Sequence, residues 1–178
     1  MLRTKLALVA AAICAVVTMA AAAPAKAETI AISAMGFVTH CPCPTTNGYQ
    51  EEEQNGTLKT IQPSSRFFAP VSFPSGVKVC RLSLVYRDFN GSDAIRARLV
   101  RKTYATGSNA FASPVIMATA TSASGAIDTV RTASTTSISQ ATISNTNSFY
   151  YVLVESVTFN LDFLGVKIDT KPSSQSCS

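Results

Sequence analysis

Tryptophan is absent from this 178-residue chain, histidine occurs once, and charged residues make up only 14% of it. The single histidine, His40, is the one imidazole that could serve a serine nucleophile as a base, and no serine lies in a G-x-S-x-G turn. The sequence therefore gives no support to a serine hydrolase. The lack of tryptophan also weakens any proposal of sugar stacking, because tryptophan has the largest flat ring.

Helical patterns of useful length are missing after the first 27 residues. Those residues have a positively charged start, an Ala-rich apolar run from Leu6 to Ala22, and the small-x-small triplet Ala25-Lys26-Ala27. We predict a signal peptide at residues 1–27 and a secreted or periplasmic location. A membrane anchor fits less well because the run ends at Pro24 and is followed by a cleavage site, so no transmembrane segment is expected after processing.

A strong excess of positive charge is also missing once the leader is removed. Of the 15 Lys and Arg residues, Arg3, Lys5 and Lys26 leave with it, against 10 Asp and Glu, so the formal charge falls from +5 to +2. Nucleic acid is therefore not an expected partner. The remaining residues, 28–178, are long enough to form one domain with its own core.

What the chain does contain is two-residue alternation, which is typical of half-buried strands. From Val77 to Lys102, apolar and polar side chains alternate on both sides of Asn90-Gly91, the strongest short signal for a β-hairpin. We predict such a hairpin, with Tyr86 facing Ile95 and Leu84 facing Ala97. The apolar parity on the two strands comprises Leu82, Leu84, Tyr86, Ile95, Ala97 and Leu99.

Other segments with strand-like composition are short and separated by turn signals. They are residues 29–40, 58–61, 66–73, 114–121, 127–130, 137–143, 149–155, 157–163 and 165–169. Together they predict an all-β fold, an antiparallel β-sandwich that is jelly-roll-like or Greek key. Residues 41–57 are predicted to be a long Cys/Pro/Glu loop and residues 170–178 a tail. A disordered Ser/Thr-rich spacer is the alternative for residues 103–147.

Four cysteines remain after processing: Cys41, Cys43, Cys80 and Cys177. An even number in an exported protein indicates disulfides, with three connectivities open. Because only Pro42 separates Cys41 from Cys43, we expect one of them to bond Cys80 and the other Cys177. The alternative is a metal site in the segment His40-Cys41-Pro42-Cys43, since imidazole and thiolates bind copper or zinc. We expect oxidised cysteines, no cofactor and no bound metal there.

The outward parity of the predicted hairpin carries a row of basic residues. They are Arg81, Arg87, Arg96, Arg98 and Lys102. This predicted basic face would suit an anionic glycan, an anionic envelope component or an acidic protein surface. A solvated face that is balanced by nearby carboxylates is the alternative.

Carboxylates are scattered, and no pair is singled out by its spacing. The candidates are Glu51, Glu52, Glu53, Asp88, Asp93, Asp128, Glu155 and Asp162. We therefore predict no catalytic residue and a non-catalytic binding or surface-structural module. An exported hydrolase with a carboxylate site that only folding would assemble is the second hypothesis, and a small metal-handling protein is the third.

The order of four segments resembles a loosely defined set of secreted bacterial proteins of unknown function. These segments are ETIAISAMGFVT, FFAPVSFPSGVKVCRLSLVYRDF, FYYVLVESV and LDFLGVKI. The resemblance covers most of the processed chain and depends on strand pattern. It implies a β-sandwich without a known activity, so it assigns no site residues.

Overall fold

The computed structural model describes residues 26–39, 49–52, 56–60, 65–89, 94–104, 112–156 and 160–177. These residues form a nearly all-β structure with a single 3-10 turn at Ala34–Gly36. The strands are β1 (Glu28–Ser33), β2 (Val38–Thr39), β3 (Tyr49–Glu52), β4 (Thr57–Thr60), β5 (Arg66–Val71), β6 (Val77–Asp88), β7 (Ile95–Thr103), β8 (Val115–Thr121), β9 (Ile127–Thr135), β10 (Ser148–Ser156) and β11 (Leu161–Pro172). No helix within the described ranges is long and apolar enough to cross a membrane.

The strands form two antiparallel sheets that pack face to face. The six-stranded sheet has the order β3-β4-β11-β6-β9, and β1 also pairs with β11. The five-stranded sheet has the order β2-β5-β10-β7-β8. Each sheet buries one face against the other, as a sandwich requires. The predicted antiparallel β-sandwich is confirmed.

The core between the sheets is built from alternate positions of the long strands. Leu82 and Leu84 of β6 and Ile95, Ala97 and Leu99 of β7 are completely buried. Between them on β7, Arg96 is exposed and Arg98 is half-buried, and both point away from the core. The predicted two-residue periodicity from Val77 to Lys102 is confirmed, and apolar burial of this kind contributes about 1.5–3 kcal/mol for each large side chain.

The predicted hairpin is wrong, because β6 and β7 belong to different sheets. Strand β6 pairs with β11 and β9, whereas β7 pairs with β10 and β8. The buried sides of β6 and β7 therefore face each other across the core instead of lying side by side in one sheet. Asn90 and Gly91, the predicted turn, lie outside the described residues.

The predicted first strand, residues 29–40, is divided between the two sheets. Strand β1 pairs with β11, and β2 pairs with β5 after the 3-10 turn. At the start of this crossing the β1 backbone comes very close to Gly165, where a Cβ atom would lie 2.5 Å from the carbonyl oxygen of Ile32. Gly165 also has a φ of +155° beside a register shift in β11, so only glycine fits there without displacing β1.

Three other predicted segments differ from the structure. Residues 103–147 contain β8 and β9, which contradicts the disordered spacer, but Ser137–Ile143 contributes only an isolated bridge between Thr142 and Lys78. Strand β3 lies inside the predicted loop 41–57 and pairs with β4. Strand β11 continues to Pro172, so the predicted tail 170–178 begins as part of the sheet.

A disulfide bond joins Cys80 and Cys177, whose Cα atoms are 5.3 Å apart. The expectation that each would bond Cys41 or Cys43 is wrong. Strand β11 pairs with β6 as far as Pro172, and a turn in which Gln175 N–H donates to the Pro172 carbonyl then returns the chain to β6. Cys80 lies within a register shift of that pairing, between the paired positions Val79 and Arg81. Cys41 and Cys43 lie outside the described residues.

Candidate functional site

The five residues of the predicted basic face lie on opposite sides of the sandwich. Arg81 and Arg87 are on β6, in the six-stranded sheet, and Arg96, Arg98 and Lys102 are on β7, in the five-stranded sheet. The first pair and the second group therefore cannot contact one ligand surface together. Their separation is a direct consequence of placing β6 and β7 in different sheets.

The two residues of the predicted basic face that lie on the six-stranded sheet both make ion pairs. Arg87 donates from Nε to Asp162 Oδ2 at 2.9 Å, and its Nη1 lies 3.6 Å from Asp128 Oδ1. The Asp162 side chain is only 1% exposed, so Arg87 neutralises a buried charge. Arg81 makes a longer contact of 3.8 Å with the half-exposed Asp169. Arg87 thus has a structural role that the sequence did not indicate.

The outer face of the five-stranded sheet has a charged end. Glu155 of β10 lies between two arginines, with Arg66 Nε at 3.2 Å and Arg98 Nη1 at 2.5 Å from its carboxylate oxygens. The Glu155 side chain is 18% exposed. Arg96 lies opposite Glu155 in the strand register, is exposed, and makes no ion pair within the described part of the chain. We call Arg66, Arg96, Arg98 and Glu155 the charged end.

The same face continues along β10 into a row of aromatic rings, two of them exposed and one, Tyr151, half-buried. The Tyr104 and Phe149 ring centroids are 5.4 Å apart, and those of Phe149 and Tyr151 are 6.2 Å apart with planes inclined by 28°. Tyr104 is 52% and Phe149 is 36% exposed. Exposed aromatic rows are uncommon on soluble domains unless they bind something. We call Tyr104, Phe149 and Tyr151 the aromatic stripe.

A buried apolar side chain lies next to the aromatic stripe, on the neighbouring strand. Val100, directly opposite Tyr151 on β7, is only 3% exposed although it does not belong to the core between the sheets. The Tyr151 ring therefore has a buried apolar neighbour on the adjacent strand. The distance along β10 from Phe149 to Glu155 is about 20 Å at the usual rise per residue.

This geometry combines two kinds of contact on one open surface. The face of an aromatic ring carries partial negative charge and attracts the weakly positive C–H groups of an apolar ring face. Arginines held by a carboxylate present N–H donors at fixed positions, which suits carboxylate or sulfate oxygens. A long, flat ligand with both features, apolar ring faces and polar substituents, would match the whole strip.

Comparison with solved structures finds other β-sandwich domains of similar fold. The chain aligns with the xylan-binding module CBM15 at a TM-score of 0.50 and 12% identity, covering 81% of this chain and 97% of that one. It also aligns with the C-terminal CBM6 of the laminarinase LamC from Zobellia galactanivorans, at a TM-score of 0.48 and 16% identity, covering 79% and 98%. The chain has the β-sandwich fold of the xylan-binding module.

The remaining comparisons give a weaker structural match and no sequence match. A family two carbohydrate esterase from Cellvibrio japonicus aligns at a TM-score of 0.44 and 12% identity, over 82% of this chain but 34% of the esterase chain. No protein-family model and no curated protein sequence matches the chain. The likeness to the xylan-binding module, at this identity, establishes the β-sandwich fold alone.

Two of the candidate carboxylates, Asp128 and Asp162, meet at Arg87, and the others whose side chains the structure describes are buried or ion-paired. Asp162 is buried against Arg87, Asp88 is buried, and Glu155 is held by two arginines on the opposite side of the sandwich. Glu53 and Asp93 lie outside the described residues, as do His40, Cys41 and Cys43 of the proposed metal segment. Within the described ranges no three His, Cys, Asp or Glu residues are grouped to hold a metal ion.

A cavity of about 560 Å³ lies on the other side of the sandwich, next to the disulfide. Its lining includes Glu28, Arg81, Asp169 and Lys171 together with Cys80 and Cys177. Asp169 accepts a hydrogen bond from the Thr29 hydroxyl at 2.7 Å, so part of its polar lining is already paired. None of the lining residues that the structure describes is aromatic.

The aromatic stripe could not be predicted from the sequence, because FYYVLVESV is apolar on both parities, a pattern typical of a strand that is covered on both faces. The structure buries only one parity of β10, including Val152 and Val154. The other parity runs through Phe149 and Tyr151 to Glu155. A carboxylate at the end of that parity was the available signal that this side faces outward.

Proposed function

We propose that this protein is an exported, non-catalytic β-sandwich module that binds a glycan on the outer face of its five-stranded sheet. The observation that carries the proposal is the aromatic stripe, a row of three neighbouring rings of which Tyr104 and Phe149 are exposed and Tyr151 is half-buried. The shared fold of a xylan-binding module supports it. The cations at the charged end of the same face favour an anionic glycan as the ligand.

Export is supported by two observations. Residues 1–27 have the pattern of a signal peptide, and β1 begins at the next residue, Glu28. The disulfide between Cys80 and Cys177 suits an oxidising compartment outside the cytoplasm. We therefore place the module in the periplasm or outside the cell.

Replacing both Phe149 and Tyr151 with alanine is expected to weaken glycan binding at least thirtyfold. The two substitutions remove most of the stacking surface, and each ring lies on the outer face, so the core stays intact. Affinity electrophoresis through gels that contain soluble polysaccharides, including xylan and laminarin, would identify a ligand. Titration calorimetry with that ligand would then give the affinity of each variant.

Phe89→Ala is the matched control for this experiment. Phe89 is 39% exposed, close to the 36% of Phe149, but it follows β6 in the other sheet. Its ring packs against the Arg87 guanidinium, whose Cζ lies 4.8 Å from the ring centroid. We expect this variant to bind the glycan as the wild type does. Failure of every polysaccharide in the panel to bind, or an equal loss with Phe89→Ala, would contradict the proposed function.

A further inference from the structure

The outer face of the five-stranded sheet has an aromatic end, where Lys102 lies opposite Phe149 in the strand register, and a charged end. On β10, Phe149 and Tyr151 occupy the aromatic end, and Glu155 lies about 20 Å from Phe149 at the other end. The cations Arg96 and Arg98 are at that end of β7. An extended chain lying along β10 would therefore place some of its sugars over rings and others over charges.

The charged end carries charges of both signs. Glu155 engages Arg66 and Arg98, whereas Arg96 lies opposite Glu155 without an ion pair among the described residues. One isolated anionic group can pair with Arg96, the arginine of the charged end that has no ion pair among the described residues. A chain with charges on every sugar would also place anions beside the Glu155 carboxylate, where repulsion opposes binding.

From this arrangement we infer that the module selects a sparsely charged acidic polysaccharide, in which isolated carboxylates occur along a chain of neutral sugars. The inference rests on the proposed glycan-binding function and adds the ligand class. Neutral sugars stack on the aromatic stripe, and one carboxylate accepts hydrogen bonds from Arg96, with Arg98 held beside it by Glu155. Arg96 is then the residue that determines specificity for the acidic substituent.

The test compares three soluble polysaccharides at 0.15 M salt. They are a xylan with occasional glucuronic acid branches, the same xylan after chemical reduction of its carboxylates, and densely sulfated heparin. We expect the acidic xylan to bind about tenfold more tightly than its reduced form. It should also bind more tightly than heparin, although heparin carries far more charge.

Arg96→Gln separates the specific contact from general charge. This variant should bind the acidic and the reduced xylan equally, because the group that distinguishes them has been lost. Arg81→Gln is the control, since it removes the same charge from the other sheet, and it should keep the tenfold preference. Circular dichroism would verify that both variants retain the β-sandwich.

The outcomes distinguish the inference from the function beneath it. Equal binding of acidic and reduced xylan by the wild type would overturn the inference and leave the glycan-binding function in place. Tightest binding to heparin would do the same, because a dense polyanion would then be the preferred ligand. Absence of binding to these and to every other polysaccharide of the panel would overturn both.

Discussion

Replacing Cys80 and Cys177 with alanine is expected to lower the free energy of unfolding by about 4 kcal/mol. The bond joins residues 97 apart in sequence, and chain-entropy arguments assign about 4.7 kcal/mol to a cross-link that closes about 100 residues. For a domain of this size the melting temperature should fall by about 10 °C. Urea unfolding of the double variant and of the oxidised wild type would measure the loss.

Two observations control the disulfide experiment. The reduced wild type should resemble the double variant, and peptide mapping without reduction should recover one linked pair containing Cys80 and Cys177. A loss below 1 kcal/mol, or a linked pair that joins Cys80 to Cys41 or Cys43, would contradict the connectivity seen in the structure.

Arg87→Met is expected to destabilise the fold by about 3 kcal/mol. This substitution leaves the Asp162 carboxylate, which is 1% exposed, without its guanidinium partner. Breaking a buried ion pair from one side costs about 3–5 kcal/mol, and the lower value applies because Arg87 remains partly exposed. Thermal and urea unfolding would give the change, with glycan affinity expected to be unaltered.

The control is Arg81→Met on the same strand. Arg81 makes a 3.8 Å contact with a half-exposed carboxylate, so its loss should cost less than 1 kcal/mol. The double variant Arg87→Met/Asp162→Asn should recover at least half of the stability, because the uncompensated charge has gone. Equal effects of Arg87→Met and Arg81→Met would show that the Asp162 pair has no structural role.

The sequence predicted which side of β6 and of β7 is buried but not which strands are their neighbours. Alternation at Leu82 and Leu84 depends only on burial, and burial is confirmed. Pairing joins backbone groups that are alike in every strand, so the sequence of β6 does not indicate its partners. They are β11 and β9, both distant from β6 in the sequence. The hairpin was predicted from a local signal, Asn90-Gly91, whereas in the structure β6 and β7 pair with strands distant in the sequence.

The disulfide shows the same limit. The entropy of closing a loop rises slowly with its length, so sequence separation does not decide among Cys41, Cys43 and Cys177 as partners of Cys80. The pairing of β11 with β6 brings Cys177 and Cys80 together, and that pairing is itself a long-range feature.

For the candidate site, the sequence correctly predicted that Arg96 and Arg98 face outward, but it grouped them with Arg81 and Arg87. The structure replaces those two with Arg66 and Glu155, which come from β5 and β10. The aromatic stripe is also assembled from separate strands, since Tyr104 follows β7 and Phe149 lies on β10. Neither grouping could be derived before the sheet order was known.

The most direct measurement of where the glycan binds is a titration of the ¹⁵N-labelled processed protein with an oligosaccharide of the ligand, followed by amide chemical shifts. If the glycan binds on the outer face of the five-stranded sheet, the largest shifts will lie on β5, β7 and β10, with Phe149, Tyr151 and Arg98 among them. Shifts confined to β6, β9 and β11, or to residues around the Cys80–Cys177 cavity, would contradict it.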